Sequence, residues 1–311
     1  MIITVTLNPA LDKTAELDIL RPGELNRLKN IVVDAGGKGI NVSKMVAALG
    51  GRTVATGFAG GSGGEEIIRA LSIEDIATDF VKVDGLTRTN LKVLDQATRL
   101  TELNEPGVMV TEREAESLIK KLAGYANADA IFALSGSLCQ GVEIEFYARL
   151  IRMIHNGGGI AFLDADGEAF RAALEEKPDF IKPNRYELMD YYQVSGNMEL
   201  KELAELCVRL RSGGVGKIAA SMGAEGALFA GGDEIIYAPG IPVRAHSAVG
   251  AGDSMTGAFA YGLERNLSWR ETCALALASS AGAAATAGTK PPDRRLVEEL
   301  REKVQLHSVK I

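Results

Sequence analysis

From Thr111 to Ser221 helical and strand-like patterns of apolar residues alternate without interruption, and this alternation narrows the possible folds more than any other stretch. The spacing predicts a helix to about Tyr125, a strand over 130–134, a helix over 143–154 and a strand over 160–164. A short strand at Phe180-Ile181, a helix over 200–211 and a strand over 217–221 follow. Strands separated by whole helices cannot pair as hairpins. They pair in parallel while each helix crosses a face of the sheet, so the reading is α/β, with a mainly parallel sheet flanked by helices on both faces. Upstream, Ile2 to Leu7 reads as a strand that the Asn8-Pro9 step ends. Gly39 to Leu49 reads as a helix stopped by Gly50-Gly51, and Thr53 to Phe58 as the next strand. Leu17, Ile19, Leu25, Leu28, Ile31 and Val33 recur at strand-like intervals, and further short strands are expected at 81–83 and 91–95. An antiparallel pair at 227–229 and 235–238, then two long helices from near Ala251 and Ser268, complete the chain. With no repeat and no low-complexity linker, the expectation is one domain over 1–311 with a small β excursion from its first third.

Composition removes several functions. The formal net charge of -7 argues against nucleic acid and against anionic membranes as partners, because both need an extended excess of Lys and Arg. Cys139, Cys207 and Cys273 are widely spaced and odd in number, which points to neither a disulfide framework nor a zinc ribbon and favours a reducing cytoplasm. The N-terminus lacks the basic lead of a signal sequence. The longest uncharged run, Cys273 to Gly288, is made of Ala, Ser and Gly and reads as a packed helix rather than a membrane span. His155, His246 and His307 are isolated and suggest neither acyl transfer nor a histidine metal site.

Two glycine-rich segments carry the chemistry. Ser247-Ala-Val-Gly250-Ala251-Gly252-Asp253 runs straight into a helix, where small residues bring unpaired backbone N–H groups close to a phosphate. Asp253 beside that anion site reads either as a proton acceptor for an attacking hydroxyl or as a helix cap. A Walker loop is absent, and Met255 stands where a dinucleotide loop requires its third glycine, which counts against a nicotinamide oxidoreductase. Asp34-Ala-Gly36-Gly37-Lys38-Gly39-Ile40-Asn41 exposes backbone donors around one cation, as suits a polyhydroxylated or phosphorylated ligand, or is a plain loop with a surface lysine.

Seven segments in order resemble the PfkB (ribokinase-like) carbohydrate kinase family, and within it the branch of 1-phosphofructokinases and tagatose-6-phosphate kinases. They are Thr6-Leu-Asn8-Pro9-Ala-Leu-Asp12, the Gly36 to Asn41 loop, Thr87-Arg88-Thr89-Asn90, Ser135-Gly-Ser137, Lys182-Pro183-Asn184-Arg-Tyr-Glu187, Ser221-Met-Gly223-Ala-Glu-Gly226 and the Gly250 to Asp253 loop.

The resemblance implies a ribokinase-like fold with a small β-sheet lid, drawn from about 14–33 and 89–104, that covers the sugar and pairs with a second subunit as a homodimer. It also implies transfer from ATP to a sugar phosphate, with Asp253 as general base and the N–H groups of Gly250, Ala251 and Gly252 on the moving phosphoryl. Asp12, Gly37, Lys38 and Asn41 would hold the sugar; Arg88 would grip its phosphate, helped by Arg27, Lys38 and Ser137, with Asn104 a weaker candidate. Lys182, Asn184, Ser221, Gly223 and Gly226 would bind ATP, and the small-residue helix around Ser279 and Gly282 would pack on the adenine. Glu187 and Asn184 would hold Mg²⁺ through water, although an Asn with Glu three residues later is also a capping pair. The substrate implied is fructose 1-phosphate, phosphorylated at its 6-hydroxyl; tagatose 6-phosphate or fructose 6-phosphate at the 1-hydroxyl is the alternative, and a non-catalytic sugar-phosphate sensor is one of a different class. Cys139, where the family usually has Pro, and the short stretch Asp95 to Arg99 depart from the pattern on the substrate side.

Overall fold

The computed structural model describes residues 1–96, 99–196, 198–246, 249–286 and 288–311. Ser247 and Ala248 of the glycine loop, and two residues of the short 95–99 stretch, therefore lie outside the described residues. In chain order the elements are β1 (Ile2–Thr6), β2 (Ala10–Leu17), β3 (Lys29–Gly36), α1 (Lys38–Ala48), β4 (Thr53–Gly60), α2 (Gly61–Ile73), β5 (Ala77–Thr78), β6 (Val81–Val83), β7 (Arg88–Asp95), β8 (Leu100–Asn104) and α3 (Glu112–Ala123). They continue with β9 (Ile131–Ser135), α4 (Phe146–Asn156), β10 (Ile160–Asp164), α5 (Gly167–Leu174), β11 (Phe180–Ile181), α6 (Arg185–Tyr192), α7 (Leu200–Ser212) and β12 (Lys217–Ser221). A 3₁₀ turn over Gly223–Glu225 leads to β13 (Gly226–Gly231), β14 (Glu234–Pro239), α8 (Ala251–Glu264), α9 (Trp269–Ala285), α10 (Arg294–Arg301) and β15 (His307–Ser308).

The main sheet runs β15-β14-β13-β12-β11-β10-β9-β1-β4-β5, and β6 also pairs with β4. From β4 through β12 its neighbours are parallel; β13, β14 and β15 close the far edge antiparallel. Both faces are apolar because helices cover both. In β9, Phe132 and Leu134 enter one core with Phe146, Tyr147 and Leu163, whereas Ile131 and Ala133 enter the other with Met45, Phe162 and Phe259. That is why the strand reads as an unbroken apolar run rather than an alternating one. The chain enters β1 in mid-sheet, adds β4 on one side and later β9 on the other. The carboxyl ends of β1, β9, β10, β11 and β12 therefore open together at the reversal of strand order, where open α/β sheets bind ligands.

A separate four-stranded sheet, β3-β2-β7-β8, stands over that end. Its central pair β2/β7 is parallel and its outer pairs are antiparallel. Side chains cross it in rows. At the root Ala10 is level with Gly36 and Arg88; two residues out, Asp12 is level with Asp34 and Asn90, and Asn90 with Asn104; two further, Thr14 is level with Lys92, and Lys92 with Glu102. The strands expected over 14–33 are in fact two, 10–17 and 29–36. The connection between them carries no strand, and Ile19 and Leu25 in it are exposed. Among the described residues no helix is long and apolar enough to cross a membrane.

Candidate active site

A cleft of about 1160 Å³ lies between the lid sheet and the carboxyl ends of the main-sheet strands. Its floor is the start of α8. Gly250 turns into the helix at a φ of 81°, in the left-handed region that glycine occupies without strain. The Ser254 N–H bonds Gly250 O at 2.9 Å, so the N–H groups of Ala251, Gly252 and Asp253 have no acceptor within the helix. Gly252 crosses directly over Lys182, where an added Cβ would lie 2.9 Å from Nζ. Asp253 does not cap the helix, which has no side-chain cap. It faces the cleft at 7% exposure, and its Oδ2 accepts a hydrogen bond from Asn41 Nδ2 at 2.8 Å. Burial, and next the nearby charge of Asp164, push its pKa up to about 6 against the opposing pull of Asn41, Lys38 and Lys182.

The second glycine loop is dictated by close packing. A Cβ on Gly36 would lie 2.5 Å from the Asp12 carboxyl, one on Gly37 2.7 Å from Thr6 Cγ2, and one on Gly39 2.5 Å from Thr6 Oγ1. The loop thus presses onto β1 and β2 and delivers Lys38 and Asn41 from the first turn of α1. Lys38 is not a surface lysine: its Nζ donates to Asp164 Oδ1 at 3.1 Å, and that carboxylate holds the ammonium charged. Asp12 accepts from Asn90 Nδ2 at 3.1 Å and from Lys92 Nζ at 3.0 Å. Arg88, at the root of β7, is half-buried and donates to the carbonyls of Asn8 at 3.0 Å and Glu105 at 3.2 Å, while its Nε has no partner among the described residues. Ser137 follows Gly136, whose φ of 103° turns the chain from the end of β9 into the cleft.

On the opposite side Asn184 caps α6 in full capping-box geometry. Its side chain accepts from the Glu187 N–H at 2.9 Å, and Glu187 Oε2 accepts from the Asn184 N–H at 2.8 Å. The capping reading is therefore realised, and both residues still line the cleft. Burial raises the pKa of Glu187. Ser221, Gly223 and Gly226 line the same end, although Gly226 is required for another reason: its Cβ would lie 2.0 Å from Ala238 O across the β13/β14 hairpin.

Three expected residues do not reach the cleft. Arg27 sits exposed in the connection between β2 and β3. Ser279 is wholly buried, and Gly282 packs on Pro292 and Leu300; α9 instead turns Leu277, Ser280, Ala281 and Ala284 toward the cleft, one residue out of phase with the expectation. Sequence reasoning missed Asp164, a buried acid ending the apolar strand β10, a position that is itself a signal at the mouth of a parallel sheet. It also missed Lys92 and the pair formed by Arg185 with Glu225, at 2.8 and 2.9 Å along the cleft wall.

Comparison with known proteins identifies the family and the fold. The chain is 32% identical to the 1-phosphofructokinase of Haemophilus influenzae over 306 residues, covering 98% of this chain and 97% of the relative. It is 34% identical to that of Rhodobacter capsulatus over 302 residues, covering 95% and 94%. Phosphofructokinase-2 from Escherichia coli, solved in complex with substrates and products, superposes with a TM-score of 0.92 at 30% identity, covering 97% and 98% of the two chains. The fold is ribokinase-like. A model of the pfkB family carbohydrate kinases matches residues 5–294, and the chain belongs to that family of phosphotransferases with an alcohol group as acceptor.

Proposed function

We propose that the chain is a 1-phosphofructokinase, a single catalytic domain with a lid that transfers the terminal phosphoryl of ATP to the 6-hydroxyl of fructose 1-phosphate. The observation that carries this is Asp253: a buried carboxylate with a pKa near 6, held by Asn41 at a helix start, facing a cleft with a lysine- and arginine-bearing wall. A base of that pKa is largely ionised at neutral pH and still basic enough to take a proton from an alcohol as attack begins. Arg88 offers a planar fork to the phosphate already on the sugar, and Asp12, Lys38 and Asn41 offer hydrogen bonds to its hydroxyls. The N–H groups of Ala251, Gly252 and Asp253 meet charge building on the transferred group. The relatives' names favour fructose 1-phosphate over tagatose 6-phosphate or fructose 6-phosphate.

ATP fits the end lined by Lys182, Asn184, Ser221 and Gly223, where Ile241, Val243 and Ala281 supply an apolar surface for a base. Glu187 and Asn184 fit Mg²⁺, since a hard cation that keeps most of its waters needs only one or two carboxylates. When bound, the cation neutralises phosphate oxygens of the nucleotide. The free, buried cysteines suit a reducing cytoplasm. The lid strands leave Ile31, Val32, Val33 and Leu103 substantially exposed, which suits a homodimer formed through the lid and would bring Arg27 near a second subunit. Sedimentation should show a dimer that Val32→Glu dissociates; a monomeric wild type would remove that part.

A coupled ADP-release assay over fructose 1-phosphate, tagatose 6-phosphate, fructose 6-phosphate and fructose tests the substrate. The highest kcat/KM is expected with fructose 1-phosphate. Binding without ADP release would leave a sugar-phosphate sensor.

A further inference from the structure

Asp164 ends β10 beneath the cleft, at 2% exposure, and touches both of its halves. Oδ1 accepts from Lys38 at 3.1 Å, on the loop assigned to the sugar. Oδ2 faces Lys182 Nζ at 3.5 Å, long for a hydrogen bond, and has no closer donor among the described residues. Lys182 in turn lies under Gly252, next to the base. Burial by itself would raise the pKa of Asp164, but Lys182 and Lys38 outweigh it and the net shift is downward. The carboxylate is therefore ionised between two ammonium groups, and the cluster keeps one surplus positive charge at the boundary between sugar and nucleotide. A buried carboxylate that cancels one of the two lysine charges it touches in an anion-binding cleft weakens ground-state attraction for phosphates, so it needs another reason to be there.

We propose that Asp164 is a positioning residue that ties Lys38 and Lys182 together at the point of phosphoryl transfer, so that both ammonium groups act on the transition state rather than on whichever phosphate binds first. This rests on the kinase reading above.

The test is steady-state kinetics of the full chain with ATP and the best sugar phosphate from the screen. Asp164→Asn keeps shape and removes charge. It should lower kcat at least tenfold while the KM values for both phosphorylated substrates stay level or fall, because freed lysines attract phosphate without being aligned. Lys38→Met should cost at least tenfold alone but no more than about twofold further in the Asp164→Asn background. A rise in KM at constant kcat, or additive losses, would overturn the proposal. The pH profile provides a readout that mere structural support would not move. Asp253 is faced by Asp164 from β10, by Lys38 and Asn41 from α1 and by Lys182 after β11. Removing the one anion among these should carry the acid limb of kcat/KM to lower pH, and an unmoved limb counts against the idea. Should Asp164→Asn fail to fold, Lys182→Met answers instead: kcat falls at least tenfold with both KM values level if Lys182 acts in the cluster, and kcat is unchanged if it merely packs under Gly252. Asp253→Asn separates the two readings, since loss of turnover there supports the base whatever Asp164 does.

Discussion

The two ends of the cleft are built from different materials. The end proposed for the sugar is a lattice of long polar side chains already bonded to one another, with Asp12 between Asn90 and Lys92, Lys38 on Asp164, and Arg88 on two carbonyls. The end proposed for the nucleotide keeps its charged side chains, Lys182, Glu187 and the Arg185–Glu225 pair, along one wall, and is otherwise backbone and small apolar surface around Gly223, Gly240, Gly250, Ala251, Ile241, Val243 and Ala281. An elongated sugar phosphate is recognised by directional bonds, which lose little freedom on binding because the protein holds its side chains beforehand. A nucleotide is accommodated by shape and by N–H groups at a helix start. One end should therefore be sensitive to lost functional groups and the other to added bulk.

Asp253, at the meeting point, should give the largest effect. Asp253→Asn is expected to lower kcat by about 10²-fold to 10⁴-fold with both KM values nearly unchanged, as the loss of a general base requires. In the wild type the base acts ionised, so kcat/KM should fall as pH drops through about 6. Stability runs the opposite way. A carboxyl raised from 3.8 to about 6 by the fold favours the protonated form, so its stabilising share is present at low pH and lost as pH rises through 6. Asp253→Asn should accordingly be more stable than wild type at pH 8, by up to about 3 kcal/mol in urea unfolding.

Arg88→Ala should come next, with kcat/KM for the sugar phosphate down about 100-fold, little change for the unphosphorylated sugar and an unaltered KM for ATP. Equal losses on both sugars would dissolve the contrast between the two ends. Gly252→Ala should be smallest: its methyl group meets Lys182 Nζ at 2.9 Å, a flexible tip that yields. A rise of about threefold to tenfold in the KM for ATP, with the sugar KM steady, is expected from misplaced N–H groups. A sugar-specific effect there would invert the assignment.

The parallel sheet was legible from 111–221 because its strands are apolar on both faces and helices α3, α4 and α7 are amphipathic, whereas the spans of the short helices α5 and α6 were not read; strands 160–164 and 217–221 match residue for residue. Helix α2 was not, since it opens on Gly61-Ser-Gly-Gly, a sequence that reads as a turn and is helical through packing against β3 and β4. The glycine loops and Asp253 were legible because their residue types are costly without a purpose. The face of α9 was not, because a helix uniformly rich in Ala and Ser has no periodic stripe to fix its rotation, and a shift of one residue turns it by about 100°. Asp164 escaped because a lone acid at a strand end shows its partners only once Lys38 and Lys182, distant in sequence, arrive beside it.

The rows of the lid sheet have a metric consequence. Arg88, Asn90 and Lys92 succeed one another on the same face of one strand at every second residue, so consecutive rows stand about 6.6 Å apart, a spacing fixed by the pitch of extended backbone. Under the proposed assignment, the gap between the group that would seize a phosphate and those that would meet hydroxyls is set by a rigid gauge rather than by a loop, and the length of the acceptor molecule would be measured before its chemistry is tested.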